Sequence, residues 1–284
     1  MGQRKVIKVV EALPHVEGFG ASVRRSVGSE EVETLDPFIL LDEFLVAPPS
    51  GFPDHPHRGF ETVTYVLQGT SEHEDFAGHR GEINSGDLQW MSAGRGIVHA
   101  EMPKTECHGL QLWVNLRSSQ KMDEPNYQEI RDKDIPRATL ENGTTVKIIS
   151  GEAFGVKSDV FTKTPTLYLD IHQNKNERIC LDIPDNYNGF VYVIKGCSKF
   201  GETQALGSAH MALILDRPGC TLDVVAVEET HYVLIAGEPL NEPIVQMGPF
   251  VMNTDQEIQS AVFEHREGFN GFENADTWKS TIGQ

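Results

Sequence analysis

The segment Thr62-Val-Thr-Tyr-Val-Leu-Gln-Gly69 alternates polar β-branched with apolar side chains and stops at a glycine. An extended chain sends successive side chains to opposite faces, so the segment is a strand with one face toward a core. Its ending is repeated 127 residues later, where Tyr65-Val-Leu-Gln-Gly69 is matched by Tyr192-Val-Ile-Lys-Gly196. His108-Gly-Leu-Gln-Leu-Trp113 is matched, at a slightly shorter offset of 123, by His231-Tyr-Val-Leu-Ile-Ala236. Working outward, Leu110–Leu116, Thr166–Ile171, Val191–Ile194, Met211–Leu215, Leu222–Val227 and His231–Ile235 are further short strands between glycines and prolines. Spacing of this kind marks sandwiches and barrels. The sequence therefore predicts an all-β fold made of two copies of one antiparallel β-barrel, with a linker within Pro125–Gly143. The tail differs: Thr254-x-x-Glu257 is a capping box, Ile258, Ala261 and Val262 follow at helical spacing, and Gly268 is a stop. The expected division is a barrel over residues 1–135, a second over 136–250, and a helical tail over 251–284 packing back on the barrels.

The 284 residues carry 42 acidic and 24 basic side chains, a net charge of −18. Residues 1–142 hold 14 basic and 23 acidic groups and residues 143–284 hold 10 and 19, so each half sits at −9. A surface this acidic repels phosphate backbones, which argues against direct nucleic-acid binding. No apolar run approaches the roughly 18 residues that a membrane helix needs. The N-terminal residues have Arg4, Lys5 and Lys8 but no apolar stretch behind them, so no secretory signal is expected, and Val6 replaces the Ser or Thr of a myristoylation signal. Cys107, Cys180, Cys197 and Cys220 show no CxxC spacing and are expected to be reduced thiols of an intracellular protein. A monomer is expected.

Chemistry concentrates in residues 51–101. Gly51-Phe-Pro-Asp-His-Pro-His-Arg-Gly-Phe-Glu61 contains His55-x-His57, two imidazoles on one face of an extended chain about 6.6 Å apart. Gly86-Asp-Leu-Gln-Trp-Met-Ser-Ala-Gly-Arg-Gly-Ile-Val-His-Ala-Glu101 contains His99-x-Glu101 with the same geometry. Three imidazoles and a carboxylate form a four-point clasp for a divalent metal. That donor set suits Fe, Mn, Co, Ni, Cu or Zn rather than Ca or Mg, and the missing thiolate argues against structural zinc. Four protein ligands leave two positions open on an octahedral ion, as a metal that binds substrate and O₂ requires; Fe(II) fits an oxygen-using role best, but spacing alone does not decide among the occupants.

Other residues near the motif have plainer readings. Glu61 either orients an imidazole or is a strand-edge carboxylate. His73 and His79 are expected in loops, and His108 beside Cys107 is expected to be structural. Phe52, Phe60, Trp90 and Trp113 pack the barrel or line its cavity. At the 127-residue offset His55, His57 and Glu61 fall on Asp182, Pro184 and Asn188, so the second barrel is expected to lack metal ligands.

A glycine-rich HxH segment followed by a second His segment in a short all-β module resembles the cupin superfamily. Ser92-Ala-Gly94 stands where Pro-x-Gly is common, and Glu101 is an extra ligand. With HPHRGFETV, GDLQWMSAGRGIVHAEMP, HGLQLWVNLRSS, TPTLYLD, LIAGEPLNEPI and GPFVMNT, these departures are similar to the pirin family over most of residues 20–255. The resemblance implies a bicupin, two antiparallel β-barrels facing each other and closed by a C-terminal helix. It implies one Fe(2+) ion per chain, held in the first barrel by His55, His57, His99 and Glu101. It implies quercetin 2,3-dioxygenase activity, an O₂-dependent flavonol ring cleavage with Glu101 as general base for the flavonol 3-hydroxyl. It also implies a transcriptional co-regulator of the nucleus and cytoplasm that modulates NF-kappaB-type factors.

Two alternatives stand beside the oxygenase. One is a non-catalytic regulatory scaffold in which the charge of the iron, about +1 or +2 net with one carboxylate ligand, reorganises a loop. Arg24, Arg25, Arg58, Arg80 and Arg95 would then contribute to a partner-facing patch, although any single one of them reads more readily as a solvated arginine balancing the many carboxylates. The other is a cupin-type metal-dependent isomerase.

Overall fold

The computed structural model describes residues 2–283. The segments that alternate in the sequence are strands in it, among them Phe60–Gln68, Cys107–Asn115, Thr166–Gln173, Asn188–Lys195, Met211–Leu215, Thr221–Ala226 and Thr230–Gly237. They assemble into two units, each built from a seven-stranded and a four-stranded antiparallel sheet. In one unit the larger sheet runs Asn126–Ile130, Leu88–Ser92, Phe60–Gln68, Cys107–Asn115, Phe38–Val46, Ala21–Val27, Pro14–Glu17. In the other it runs Val6–Glu11, Met211–Leu215, Asn188–Lys195, Thr230–Gly237, Thr166–Gln173, Thr145–Ser150, Arg137–Thr139. The two orders match strand for strand, which makes the internal repeat a repeat of topology. Gly69 and Gly196 occupy the same hairpin position in it, with φ +88° and +81°. A β-carbon at either would fall 2.0 or 2.1 Å from a backbone carbonyl, of Glu106 and Glu229 respectively, so both places require glycine.

Alternation places the apolar stripe of each strand inside. In the second unit Leu169, Ile171, Val191, Leu213, Tyr232 and Leu234 of the large sheet meet Leu181, Phe200, Leu222 and Val224 of the small one. In the first, Val23, Phe44, Val46, Val66 and Ile83 form an apolar cluster, and Val23, Phe44 and Val46 also line a cavity.

Contiguous sequence blocks do not describe the units. One takes residues up to Leu13, Ser26–Pro37 and Lys133–Pro239; the other takes Pro14–Arg25, Phe38–Asp132 and everything from Leu240. The central junction falls close to the expected 135/136, but the termini cross over. Val6–Glu11 pairs with Met211–Leu215 (Val9 opposite Leu213) and fills the edge position that Asn126–Ile130 fills in the first sheet. Residues 125–143 are likewise no bare linker, since they supply Asn126–Ile130 to one sheet and Arg137–Thr139 to the other.

The single α-helix of the described residues is Asp255–Glu267. Thr254 Oγ1 accepts the Glu257 N–H at 3.2 Å, Glu257 Oε2 accepts the Asn253 N–H at 3.0 Å, and Gly268 ends the helix at φ 69°. Ile258 and Ala261 bury against Val98, Phe250, Met252 and Phe272 of the first unit. Val262, expected on that face, lies at its flank and is exposed. Arg58 ties this tail down. It is fully buried, donates to the carbonyls of Arg95 and Asn270 at 2.6 Å and to Glu264 Oε2 at 2.5 Å, and stacks over Phe272 at 4.6 Å. The expected partner-facing role is therefore wrong for Arg58, because a guanidinium with every group turned inward offers nothing to a partner. Arg58→Leu strands the Glu264 carboxylate and two carbonyls, so urea unfolding should show a loss of about 3–5 kcal/mol, with Glu264→Gln losing less.

Candidate metal centre

Two neighbouring strands of the small sheet bring the imidazoles together. Phe52–His57 pairs antiparallel with Ile97–Pro103, placing His55 directly opposite His99 and His57 opposite Ile97. Directly opposed positions share a face, and so do positions two apart, so all three rings point inward. The ring centroids lie 4.5 Å apart for His55 and His99, 4.7 Å for His55 and His57, and 5.0 Å for His57 and His99. One nitrogen from each ring lies within 4.8 Å of the others. The expected HxH convergence is thus present in the fold.

Glu101 joins by a different route. A bulge between His99 and Glu101 puts one extra residue on the Phe52–His57 strand, and Glu101 pairs with Phe52. The bulge increases the twist, and the carboxylate stands beside the three rings rather than among them, with Oε2 4.0 Å from His99 Nε2. Thr64 Oγ1 lies 3.0 Å from Glu101 Oε1 and 2.7 Å from Gln111 Oε1, and the Gln111 amide reaches Glu101 Oε2 at 3.4 Å. Sequence reading missed Thr64 and Gln111, since a Thr and a Gln on alternating strands carry no motif. Glu61 is resolved by the same alternation: Thr64 faces Glu101, so Glu61, three residues earlier, points to the opposite face and does not orient the imidazoles.

Burial decides the protonation of the rings. Desolvation, reinforced by the neighbouring imidazoles, lowers His55 to about 4 and holds His57 well below its usual value; burial with nearby His73 lowers His99 to about 3. All three are therefore neutral at pH 7 and carry lone pairs. His55 Nδ1 is 2.8 Å from the Pro53 carbonyl, which can only accept, so the proton sits on Nδ1 and Nε2 holds the lone pair. Neither ring nitrogen of His57 or His99 has a hydrogen-bond partner among the described residues, although all four are buried. A buried unsatisfied polar atom costs about 1–3 kcal/mol, and a metal ion satisfies such atoms directly. Nitrogen and carboxylate donors together fit a first-row transition ion.

His55, His57 and Glu101 line a cavity of about 650 Å³, within the range of small-molecule pockets. Leu40, Phe44, Val46, Phe52 and Trp113 supply apolar wall. Arg25 and Asp42 also line it, joined by two hydrogen bonds of 2.9 and 2.7 Å, with Glu17 3.2 Å from the guanidinium. Arg25 was expected on a partner-facing patch; its side chain is only a quarter exposed and faces the cavity instead. Phe60 and Trp90 are buried as expected. His73, expected in a loop, is buried on the strand Thr70–Asp75 opposite Glu101, with Nε2 2.6 Å from Glu129 Oε1. His108 Nε2 lies 2.7 Å from Glu43 Oε1 on the outer face of its strand, and Cys107 is buried.

The second unit has no imidazole at the positions aligned with the first cluster. Asp170, His172 and His231 meet elsewhere on its large sheet, each with a donor atom within 4.8 Å of the others. Asp170-Ile-His172 has the same i, i+2 spacing as the first motif, and that signal was in the sequence; its partner lies about sixty residues away on a strand that only folding makes adjacent.

Because the folded pKa values of the three site histidines lie below the unfolded value of about 6.5, the unfolded chain binds more protons below that pH. Stability of the metal-free protein should be full above pH 6.5 and fall as pH drops toward 4, by about 1.4 kcal/mol per pH unit for each such histidine. Chemical denaturation at pH 5 and pH 7 measures this. His99→Gln should flatten the slope by one proton; an unchanged slope contradicts the assignment.

A family model described as Pirin matches residues 20–114, and one described as Pirin C-terminal cupin domain matches residues 168–271. Pirin of Homo sapiens is 52% identical over 286 residues, covering 99% of this chain and 98% of that protein. A pirin-like protein of Solanum lycopersicum is 52% identical over 98% of this chain and 96% of its own. A solved structure of quercetin 2,3-dioxygenase from Acinetobacter baumannii superposes with a TM-score of 0.87 at 35% identity, covering 93% of this chain and 97% of that one. With two cupin-type units, a histidine cluster in the first, and half its residues shared end to end with named relatives, this chain belongs to the pirin family.

Proposed function

We propose that this protein is an Fe(2+)-dependent, quercetin 2,3-dioxygenase-like enzyme that opens a flavonol ring with O₂. The observation that carries the reading is that three neutral imidazoles, two of them buried, converge where His55, His57 and a held carboxylate line a 650 Å³ cavity. His55, His57, His99 and Glu101 are the residues that would hold the iron, which supplies Lewis acidity and the electronic coupling between O₂ and an aromatic substrate. The Acinetobacter baumannii relative, named for this reaction, supports the substrate class.

The chain's own residues have separable tasks. Glu101 Oε accepts the proton of the flavonol 3-hydroxyl, within hydrogen-bond reach of a ligand at the imidazoles. Thr64 and Gln111 hold that carboxylate, the hydroxyl and the amide donating to its two oxygens. Leu40, Phe44 and Trp113 clamp a flat aromatic ligand and exclude water from it. Arg25, held rigid by Asp42, presents N–H groups to the polar rim of the substrate.

The regulatory reading, an iron-dependent partner of NF-kappaB-type factors in the nucleus and cytoplasm, rests on the family resemblance. The catalytic reading is preferred because Arg58 is engaged inside the fold and Arg25 inside the cavity, which leaves the expected basic patch depleted.

Iron-loaded protein with quercetin in air should bleach the flavonol absorbance and take up O₂, and metal removal should abolish both. Glu101→Gln should lower kcat about 10²–10⁴-fold at matched iron occupancy, the range for loss of a general base. Thr64→Val, which leaves the carboxylate in place but loosens it, should cost less. Full activity of Glu101→Gln at full occupancy excludes the base role. No turnover by the wild-type protein, with iron-dependent capture of a Rel-type factor, favours the regulator.

A further inference from the structure

We infer that the second unit carries a divalent transition-metal site of its own, formed by Asp170, His172 and His231 on the outer face of its large sheet. The strands Thr166–Gln173 and Thr230–Gly237 pair with His172 directly opposite His231. Leu169, Ile171, Tyr232 and Leu234 point into the core, so alternation sends Asp170, His172 and His231 to the other face. The imidazoles stack with centroids 3.8 Å apart and an interplanar angle of 21°. His231 Nε2 lies 2.5 Å and His172 Nε2 3.9 Å from the same oxygen, Asp170 Oδ1.

The internal repeat supplies a control within the molecule. At the 127-residue offset Asp170 corresponds to Glu43 and His172 to Leu45, and in the sheet order His231 corresponds to His108. His108 and Glu43 form the same pair at 2.7 Å, and His108 is opposite Leu45 in register. A histidine hydrogen-bonded to a buried carboxylate is therefore common to both units, and His172 is the addition. A pair needed only for structure is complete with one imidazole, as the first unit demonstrates. The second imidazole converts it into a two-nitrogen, one-carboxylate donor set, the kind that binds Zn²⁺, Ni²⁺ or Cu²⁺ and leaves positions to solvent.

The distances require little movement. Ligands of a tetrahedral ion at about 2.0–2.2 Å stand about 3.4 Å apart, and the three donors here are within 4.8 Å. Asp170 is buried and His231 nearly so, which fixes two ligands; the His172 side chain is 53% exposed and free to turn onto the ion. The cation replaces the proton on His231 Nε2, which leaves to solvent, while the Asp170 oxygen that accepted it becomes a ligand.

Calorimetric titration of the metal-free full-length protein with Zn²⁺ tests the site. His172→Leu restores the first unit's arrangement at an exposed position and should bind one equivalent fewer than wild type, or bind that equivalent at least tenfold more weakly, with an unchanged circular dichroism spectrum. His57→Ala should keep that equivalent. Asp170→Asn should weaken it while His108→Ala leaves it alone. Equal stoichiometry and affinity for wild type and His172→Leu overturn the site. Loss of the equivalent in His57→Ala but not in His172→Leu assigns the zinc to the first cluster and overturns it equally.

Discussion

The first unit is organised around three imidazoles kept neutral by burial. His55, His57 and His99 can converge only because a single antiparallel register sets His55 across from His99 and keeps His57 on the same face. Shifting that register by one residue would turn the rings to the wrong side. The strain of holding unsatisfied nitrogens in an apolar interior is the price of a ready-made site: nothing has to be deprotonated before a metal binds. Glu101 adds a carboxylate, and its bulge-shifted position sets it beside the rings as a potential further ligand.

The rest of the unit serves that geometry. Large-sheet strands provide Thr64 and Gln111, which fix the carboxylate, and the apolar wall that shapes the cavity. Arg58, next to His57 in the chain, anchors the tail to the carbonyls of Arg95 and Asn270 and to Glu264, so the strand that carries two imidazoles is held at its end. Tail and histidine cluster are thus mechanically linked, which gives the C-terminal residues a reason to belong to the first unit and not to the one that precedes them.

Comparison of the two units shows how one topology diverges. Both retain seven and four strands in the same order, the same glycine-demanding hairpin, and a histidine–carboxylate pair on the large sheet. The first has donors inside its small sheet; the second fills the equivalent space with Leu181, Phe200 and Val224 and carries its extra histidine outside.

By itself the sequence determined the elements and the donors. Period-two alternation depends on the chain alone, and so do the capping box at Thr254 and the HxH and HxE pairs, because residues two apart on a strand share a face whatever surrounds them. The family resemblance was legible for the same reason: its motifs are local strings. Only the tertiary structure decided which strands became neighbours. It sent Val6–Glu11 to the far unit, brought Thr64 and Gln111 to Glu101, turned Glu61 away, buried Arg58 and His73, and joined His231 to Asp170 and His172. Those outcomes depend on long-range pairing and on burial, two quantities that no local pattern encodes.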